Sequence, residues 1–387
     1  MQSRFRLLLL ILSLILLACF HPVSHDPPPQ VDPTGEPLST VAVWQGFKHS
    51  WTYNHRLPRL SDLVQTEPDS DGTSVVHTFH AAATGLGSDV GVYQSYYTFT
   101  RIKSVHIYSG RKQFHFVGKK GENVQDSRTI RIPLENGITR NSHAVAFLNG
   151  FDLYTDLNAF KIQHLDLKIS DCSIDSTQNE IVFDLTASIT LDCRSLECKK
   201  FDPNYNYSLR VEYAVISGRE NLAFNSQIIS NSFHWNKKEE LALTSRQSSM
   251  TGNGKSKFSN AILAFKSLNI DLDKEHWFID WNTFISPMEY NLESGVYKYQ
   301  SGLVIREWKK GMRRDSAEPL ESMFSFRDRG AGTVSAEIAL IQFASGCTKQ
   351  DSISGQIEWN GRGREKHPED AIDRRTILWG KDCTKSD

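Results

Sequence analysis

Apolar and polar residues alternate with period two along much of this chain. The runs FHFVG (114–118), TIRIPL (129–134), EIVFDLTASITL (180–191), SLRVEYAVIS (208–217), SAEIALIQF (335–343) and SISGQIEW (352–359) are rich in β-branched and aromatic residues. A strand places successive side chains on opposite faces, so this pattern predicts half-buried strands. Helical periodicity is scarce. Asn136-Gly137, Asn149-Gly150 and Asn360-Gly361 add turn signals between or beside the runs. The expected fold class is mainly β, made of antiparallel β-sandwich modules.

Three stretches open alike: VAVWQGFKHSWTYNHRLPRL (41–60), HAVAFLNGFDLYTDLNAFKIQHL (143–165) and NAILAFKSLNIDLDKEHWFIDW (260–281). Gly46-Phe47 aligns with Gly150-Phe151, and Ser267-Leu268 holds the same place in the third. A second apolar alternation follows each opener, through Leu57 and Leu60, then Phe160, Ile162 and Leu165, then Trp277, Ile279 and Trp281. Farther on, RIKSVHIYSG (101–110), RVEYAVISG (210–218) and AEIALIQFASG (336–346) each close on Ser-Gly. The shared order predicts an internal triplication, as tandem modules over 41–143, 144–260 and 261–387. Units of that length would be able to fold as separate sandwiches. Phe47, Phe151 and Leu268 would then be equivalent core residues, and Gly46 a bend or bulge position.

The chain begins MQSRFRLLLLILSLILLAC. Arg4 and Arg6 precede an apolar run of signal-peptide length, too short to span a bilayer comfortably. The run ends in Leu16-Leu17-Ala18-Cys19, which resembles the lipobox of bacterial lipoproteins. That resemblance covers the leader alone. It implies removal of 1–18, lipidation of Cys19, and a place in the cell envelope, at the bacterial outer membrane. Residues 19–40 then carry six prolines, Pro22, Pro27, Pro28, Pro29, Pro33 and Pro37, and read as an extended tether between lipid and body.

Composition narrows the function classes. A formal charge of −1 argues against a nucleic-acid partner, which requires a large basic footprint. Beyond Cys19 stand Cys172, Cys193, Cys198, Cys347 and Cys383, an odd set in a chain whose leader directs export. Cys193 with Cys198 and Cys347 with Cys383 would leave Cys172 over. Pairing of Cys172 with Cys193 or Cys198 fits the spacing as well.

The ring-rich part of the first opener has no counterpart in the other two. Alternation would put Phe47, His49, Trp51, Tyr53 and His55 on one strand face and Arg56 on the other. Exposed, His49, Trp51, Tyr53, His55 and Arg56 would form a stacking platform for a sugar or peptide. Packed against a neighbouring module, they are scaffold, and that reading is favoured because buried aromatics normally outnumber functional ones. Asp271, Asp273 and Glu275 alternate like calcium-loop ligands, but His276 and Asn282 stand where the loop needs Gly and Glu. EPDSDGT (67–73) is likewise acidic but short, so a weak calcium site is the sole cofactor suggested. No nucleophile elbow, phosphate loop, zinc-protease or dinucleotide motif occurs, so catalysis is not the expected role. The sequence thus predicts an envelope protein, lipid-anchored to the membrane, whose β modules bind a glycan or protein partner. A structural or assembly lipoprotein comes second, and a hydrolase with an unrecognised site third.

Overall fold

The computed structural model describes residues 30–31, 37–51, 59–69, 72–81, 87–103, 105–119, 121–134, 142–155, 161–192, 204–219, 224–235, 244–249, 260–272, 276–291, 296–309, 332–343, 346–361 and 370–377. Strands account for nearly all of them, and none is helical. A short β1 (Gln30–Val31) precedes β2 (Pro37–Trp51), β3 (Arg59–Asp69), β4 (Gly72–Ala81), β5 (Gly87–Lys103), β6 (Val105–Lys119) and β7 (Asn123–Pro133). Next come β8 (Ser142–Thr155), β9 (Lys161–Ile169), a small β10 (Ser173–Asp175), β11 (Glu180–Asp192), β12 (Asn204–Arg219), β13 (Phe224–Trp235) and β14 (Thr244–Ser249). The last set is β15 (Asn260–Leu272), β16 (His276–Asn291), β17 (Val296–Lys309), β18 (Gly332–Phe343), β19 (Gly346–Gly361) and β20 (Asp370–Ile377). Every run read as a strand from its alternation lies in one of these elements, save that TIRIPL passes the end of β7 by Leu134.

The strands form three antiparallel sheets. The first runs β14-β17-β16-β2-β5-β19, the second β20-β4-β3-β8-β12-β6, and the third β10-β11-β9-β15-β18-β13, with β7 on the other edge of β11. One pairing scheme recurs in all three. A central strand, β2, β8 or β15, pairs with the closing strand of its own segment, β5, β12 or β18. Its other side takes a strand of the preceding segment: β16 beside β2, β3 beside β8, β9 beside β15. The closing strands also reach back, β5 to β19, β12 to β6 and β18 to β13. The scheme is therefore cyclic, with the last segment completing the sheet of the first.

This corrects the expectation of tandem sandwiches. None of the sheets is built from 41–143, 144–260 or 261–387 alone. Strand pairing buries the same apolar area whichever segment supplies the strand, and the connections carry neighbours apart. Thus β6 and β7, joined by the turn at Gly121, belong to different sheets.

Each central strand carries a β-bulge at the matching place. Register slips between Trp44 and Gly46, across Asn149 between Leu148 and Gly150, and between Phe265 and Ser267. Asn149-Gly150, read as a turn from sequence, is this bulge: both flanks continue as strand. Gly46 and Gly150 have φ of 114° and 123°, a region that disfavours a Cβ. The bulge keeps the apolar residues on either side of it in one core. Ala42, Trp44 and Phe47, Ala146, Leu148 and Phe151, and Leu263, Phe265 and Leu268 all belong to one buried cluster. Val41 and Val43, Val145 and Phe147, and Ile262 and Ala264 belong to another on the opposite faces. Phe47, Phe151 and Leu268 are fully buried, as equivalent positions require.

The Ser-Gly ends do not match in this way. Gly110 lies in β6 opposite Tyr213, Gly218 is the last residue but one of β12, and Gly346 opens β19. The strand equivalent to β12 and β18 is β5, through QSYYTFTRI (94–102). Its Thr98 and Thr100 stand in register where Ala214 and Ile216, and Ala339 and Ile341, stand in the others. Those hydroxyl residues broke the apolar alternation and hid the strand.

Gly150→Ala is expected to destabilise the fold by about 2 kcal/mol, because its Cβ would meet the Asp62 carbonyl oxygen at 2.3 Å. At Gly121 (φ +70°) no atom lies within 4 Å, so Gly121→Ala should cost only the backbone strain, about 1 kcal/mol. Urea unfolding of the two variants checks the order; equal losses would refute the close-approach argument.

Candidate functional site

The bulge residues Gln45, Asn149 and Lys266 are polar and nearly inaccessible, at 2 %, 5 % and 2 % exposure. A buried polar group without a partner costs free energy, and each of these has one. Gln45 Nε2 donates to the Leu263 carbonyl at 3.1 Å, linking the first sheet to the third. Asn149 Oδ1 accepts from Trp44 N at 2.9 Å while its Nδ2 donates to the Val64 carbonyl at 3.0 Å. Lys266 Nζ donates to the Ser170 carbonyl at 2.6 Å and stands 3.4 Å from Asp171 Oδ1. Strand β2 pairs with β16 only from Gly46 onward, so earlier amides that face away from β5 need other acceptors. Thr66 Oγ1 takes the Ala42 amide at 2.7 Å, and Asn149 takes that of Trp44.

Asp62 is the centre of the same seam. Its Oδ2 accepts from Trp44 Nε1 at 2.8 Å and from Ser95 Oγ at 3.3 Å. Its Oδ1 lies 2.7 Å from His77 Nε2. Asp62 and His77 come from the second sheet, Trp44 and Ser95 from the first, and all four are fully buried. The His77 ring stacks on Tyr93 with centroids 5.8 Å apart, and its Nδ1 is buried without a hydrogen-bond partner. Trp44 also packs on Phe47, Phe151 and Phe265 at 5.8, 6.3 and 5.3 Å, where all three sheets meet.

The chemistry open to this group is limited. Serine, histidine and aspartate are the residue types of nucleophilic catalysis, but there the imidazole must take the hydroxyl proton. Here the Ser95 hydroxyl is turned to the carboxylate, and no face of the cluster reaches solvent. The arrangement is a buried clamp between two sheets.

The residues singled out from sequence fall elsewhere. His49 and Trp51 lie on β2, His49 where it runs between β5 and β16 and Trp51 just beyond, paired with β5 alone. His49 stands in register between Tyr93 and Trp281, and Trp51 opposite Gly91. The start of the ring-rich stretch is thus an interior strand of a sheet. Tyr53, His55 and Arg56 lie outside the described residues, as do Cys19, Cys193, Cys198 and Cys383. Asp273 and Glu275 lie outside them too, while Asp271 is exposed on β15, 3.7 Å from His164 Nδ1. Among the described residues no three His, Cys, Asp or Glu groups gather as a metal site would need.

The described cysteines differ. Cys172 carries a free thiol, and Cys347, the second residue of β19, lies opposite Arg101 of β5. Burial pushes the Cys172 thiol up to about 11, against the pull of the Lys266 ammonium. Burial likewise holds Lys266 below the usual lysine range.

The reading from sequence missed Asp62, His77 and Ser95. A signal was present: Leu60, Asp62 and Val64 alternate, as do Val75 and His77, so the polar residues occupy core-facing positions of two strands. No protein-family model, curated protein or solved structure matches the chain.

Asp62→Asn should cost on the order of 3 kcal/mol, because an amide cannot accept from donors on both sides of the old carboxylate. Chemical denaturation checks this, and a loss under 1 kcal/mol would place the clamp outside the stabilising core. Cys172 should resist iodoacetamide in the native protein at pH 8, where roughly one thiol in a thousand is ionised at a pKa of about 11. Labelling should climb as pH approaches that value; peptide mapping reads it, and rapid labelling at pH 8 would show an exposed thiolate.

Proposed function

We propose that this chain is a lipid-anchored protein of the bacterial cell envelope whose β body binds a glycan or protein partner. The observation that carries the reading is the end of the leader, Leu16-Leu17-Ala18-Cys19, directly before the proline-rich tether. A single acyl chain anchors weakly, so lasting attachment calls for more than one on Cys19. The body suits such a role. Outward groups of β7 and β11 form a polar ladder: Ser127 with Thr186 at 3.0 Å, Thr129 with Asp184 at 2.6 Å, Arg131 with Glu180 at 3.1 Å. Hydroxyl, carboxylate and guanidinium groups in a flat row match the donors and acceptors of an extended polymer.

In this reading the body arose by internal triplication, with strands exchanged among the copies. The recurrence of pairing and bulges supports it. Oxidative export would join Cys347 to Cys383 and Cys193 to Cys198, leaving Cys172 reduced.

Cys19→Ser should abolish labelling by a radioactive fatty acid and leave the precursor uncleaved; unchanged labelling would remove the lipoprotein reading. A glycan and envelope-polysaccharide array tests the ligand, with Trp51→Ala and Arg131→Ala beside the wild type. Loss of binding in folded Arg131→Ala alone assigns the polar ladder. Loss in folded Trp51→Ala alone assigns the aromatic stretch.

A further inference from the structure

The cyclic scheme creates a problem of identity. Strands β2, β8 and β15 occupy equivalent places, as do β3, β9 and β16, so each could enter the wrong sheet with nearly the same apolar match. Register fixes the equivalences. Trp44, Asp62, His77 and Ser95 of the seam between the first two sheets correspond to Leu148, Leu167, Leu185 and Val211 of the seam between the second and third. All four of the latter are fully buried and apolar. The seam between the third and first sheets has Phe265, Thr283, Ser301 and Ala336 at the same positions, so a carboxylate, an imidazole and an indole stand together at one seam only. Seating β3 against β15 would bury Asp62 and His77 without the indole and hydroxyl that complete them.

We propose that the Trp44–Asp62–His77–Ser95 clamp is a pairing key, a conformational device that admits β3 to its own seam and rejects it from the equivalent ones. A buried ionic group seldom adds stability over a well-packed apolar replacement, but an unpaired one is heavily penalised. The clamp thus contributes through the wrong pairings it forbids. The bulges carry the same logic, since Gln45, Asn149 and Lys266 differ in length and charge and each reaches a different backbone atom.

The test exchanges the key for its apolar counterpart in the full-length chain: Trp44→Leu, Asp62→Leu, His77→Leu and Ser95→Val together. Thermal unfolding should be no lower than for the wild type, while the yield of monomer refolded from urea should fall about threefold or more. A second variant adds the key at the other seam, with Leu148→Trp, Leu167→Asp, Leu185→His and Val211→Ser on that background. Its refolding yield should return toward wild type, because one seam is again unique. A first variant that refolds as fully and as fast as wild type overturns the proposal. If the first variant cannot fold, folding of the second supports the key, and failure of both overturns it in favour of local stabilisation.

Discussion

The buried β-bulge in each central strand is the constraint on which the remaining structure depends. A strand that must face one core before and after a slip in register needs one extra residue, and that residue cannot leave the interior. Gln45, Asn149 and Lys266 meet this demand by hydrogen-bonding backbone atoms outside their own ladder. Two of these bonds cross between sheets, Gln45 to Leu263 and Asn149 to Trp44. Kinked strands can thus pack directly on one another, and aromatic side chains from three sheets gather around Trp44. Without the bulge, Phe47 and Phe151 would fall on the wrong face and the shared core would split.

Much of this was legible in the sequence because alternation and glycine have local physical causes. The strands show period two, and the Gly-Phe pairs mark a backbone conformation that a Cβ resists. Ser267 shows that the site tolerates a side chain where the local backbone differs, with its hydroxyl taking the Glu337 amide at 3.0 Å. What was illegible is pairing. Alternation specifies which face of a strand is buried but not which strand lies beside it, so the division into separate modules was a natural but mistaken reading. The Ser-Gly ends misled for a related reason: two common residues at a strand end carry no information on register.

The candidate chemistry follows the same division. The ring-rich stretch after Phe47 stood out because its composition is unusual, yet its first part is an interior strand, where rings serve packing as often as binding. Asp62 and His77 drew no notice because each is a lone polar residue in an apolar alternation. Their meaning comes from Trp44 and Ser95, which arrive from a different sheet. A comparison of copies exposes them, since Leu60 and Asp62 align with Leu165 and Leu167 and with Trp281 and Thr283, and a carboxylate stands in one line alone.

Cyclic strand exchange also governs when the body can form. Strand β2 needs β16, β5 needs β19, and β4 needs β20, so the earliest segment remains incomplete until nearly the whole chain is available. Contacts of such sequence separation carry a large closure cost before they stabilise anything, which makes folding slow and exposes edges meanwhile. Independent modules would have finished one by one. Here no sheet can close before strands from more than one segment are present. The same interdependence explains why polar groups concentrate at the seams. Where every sheet borrows strands from its neighbours, correct assembly depends less on how tightly a strand binds than on how badly it fits elsewhere.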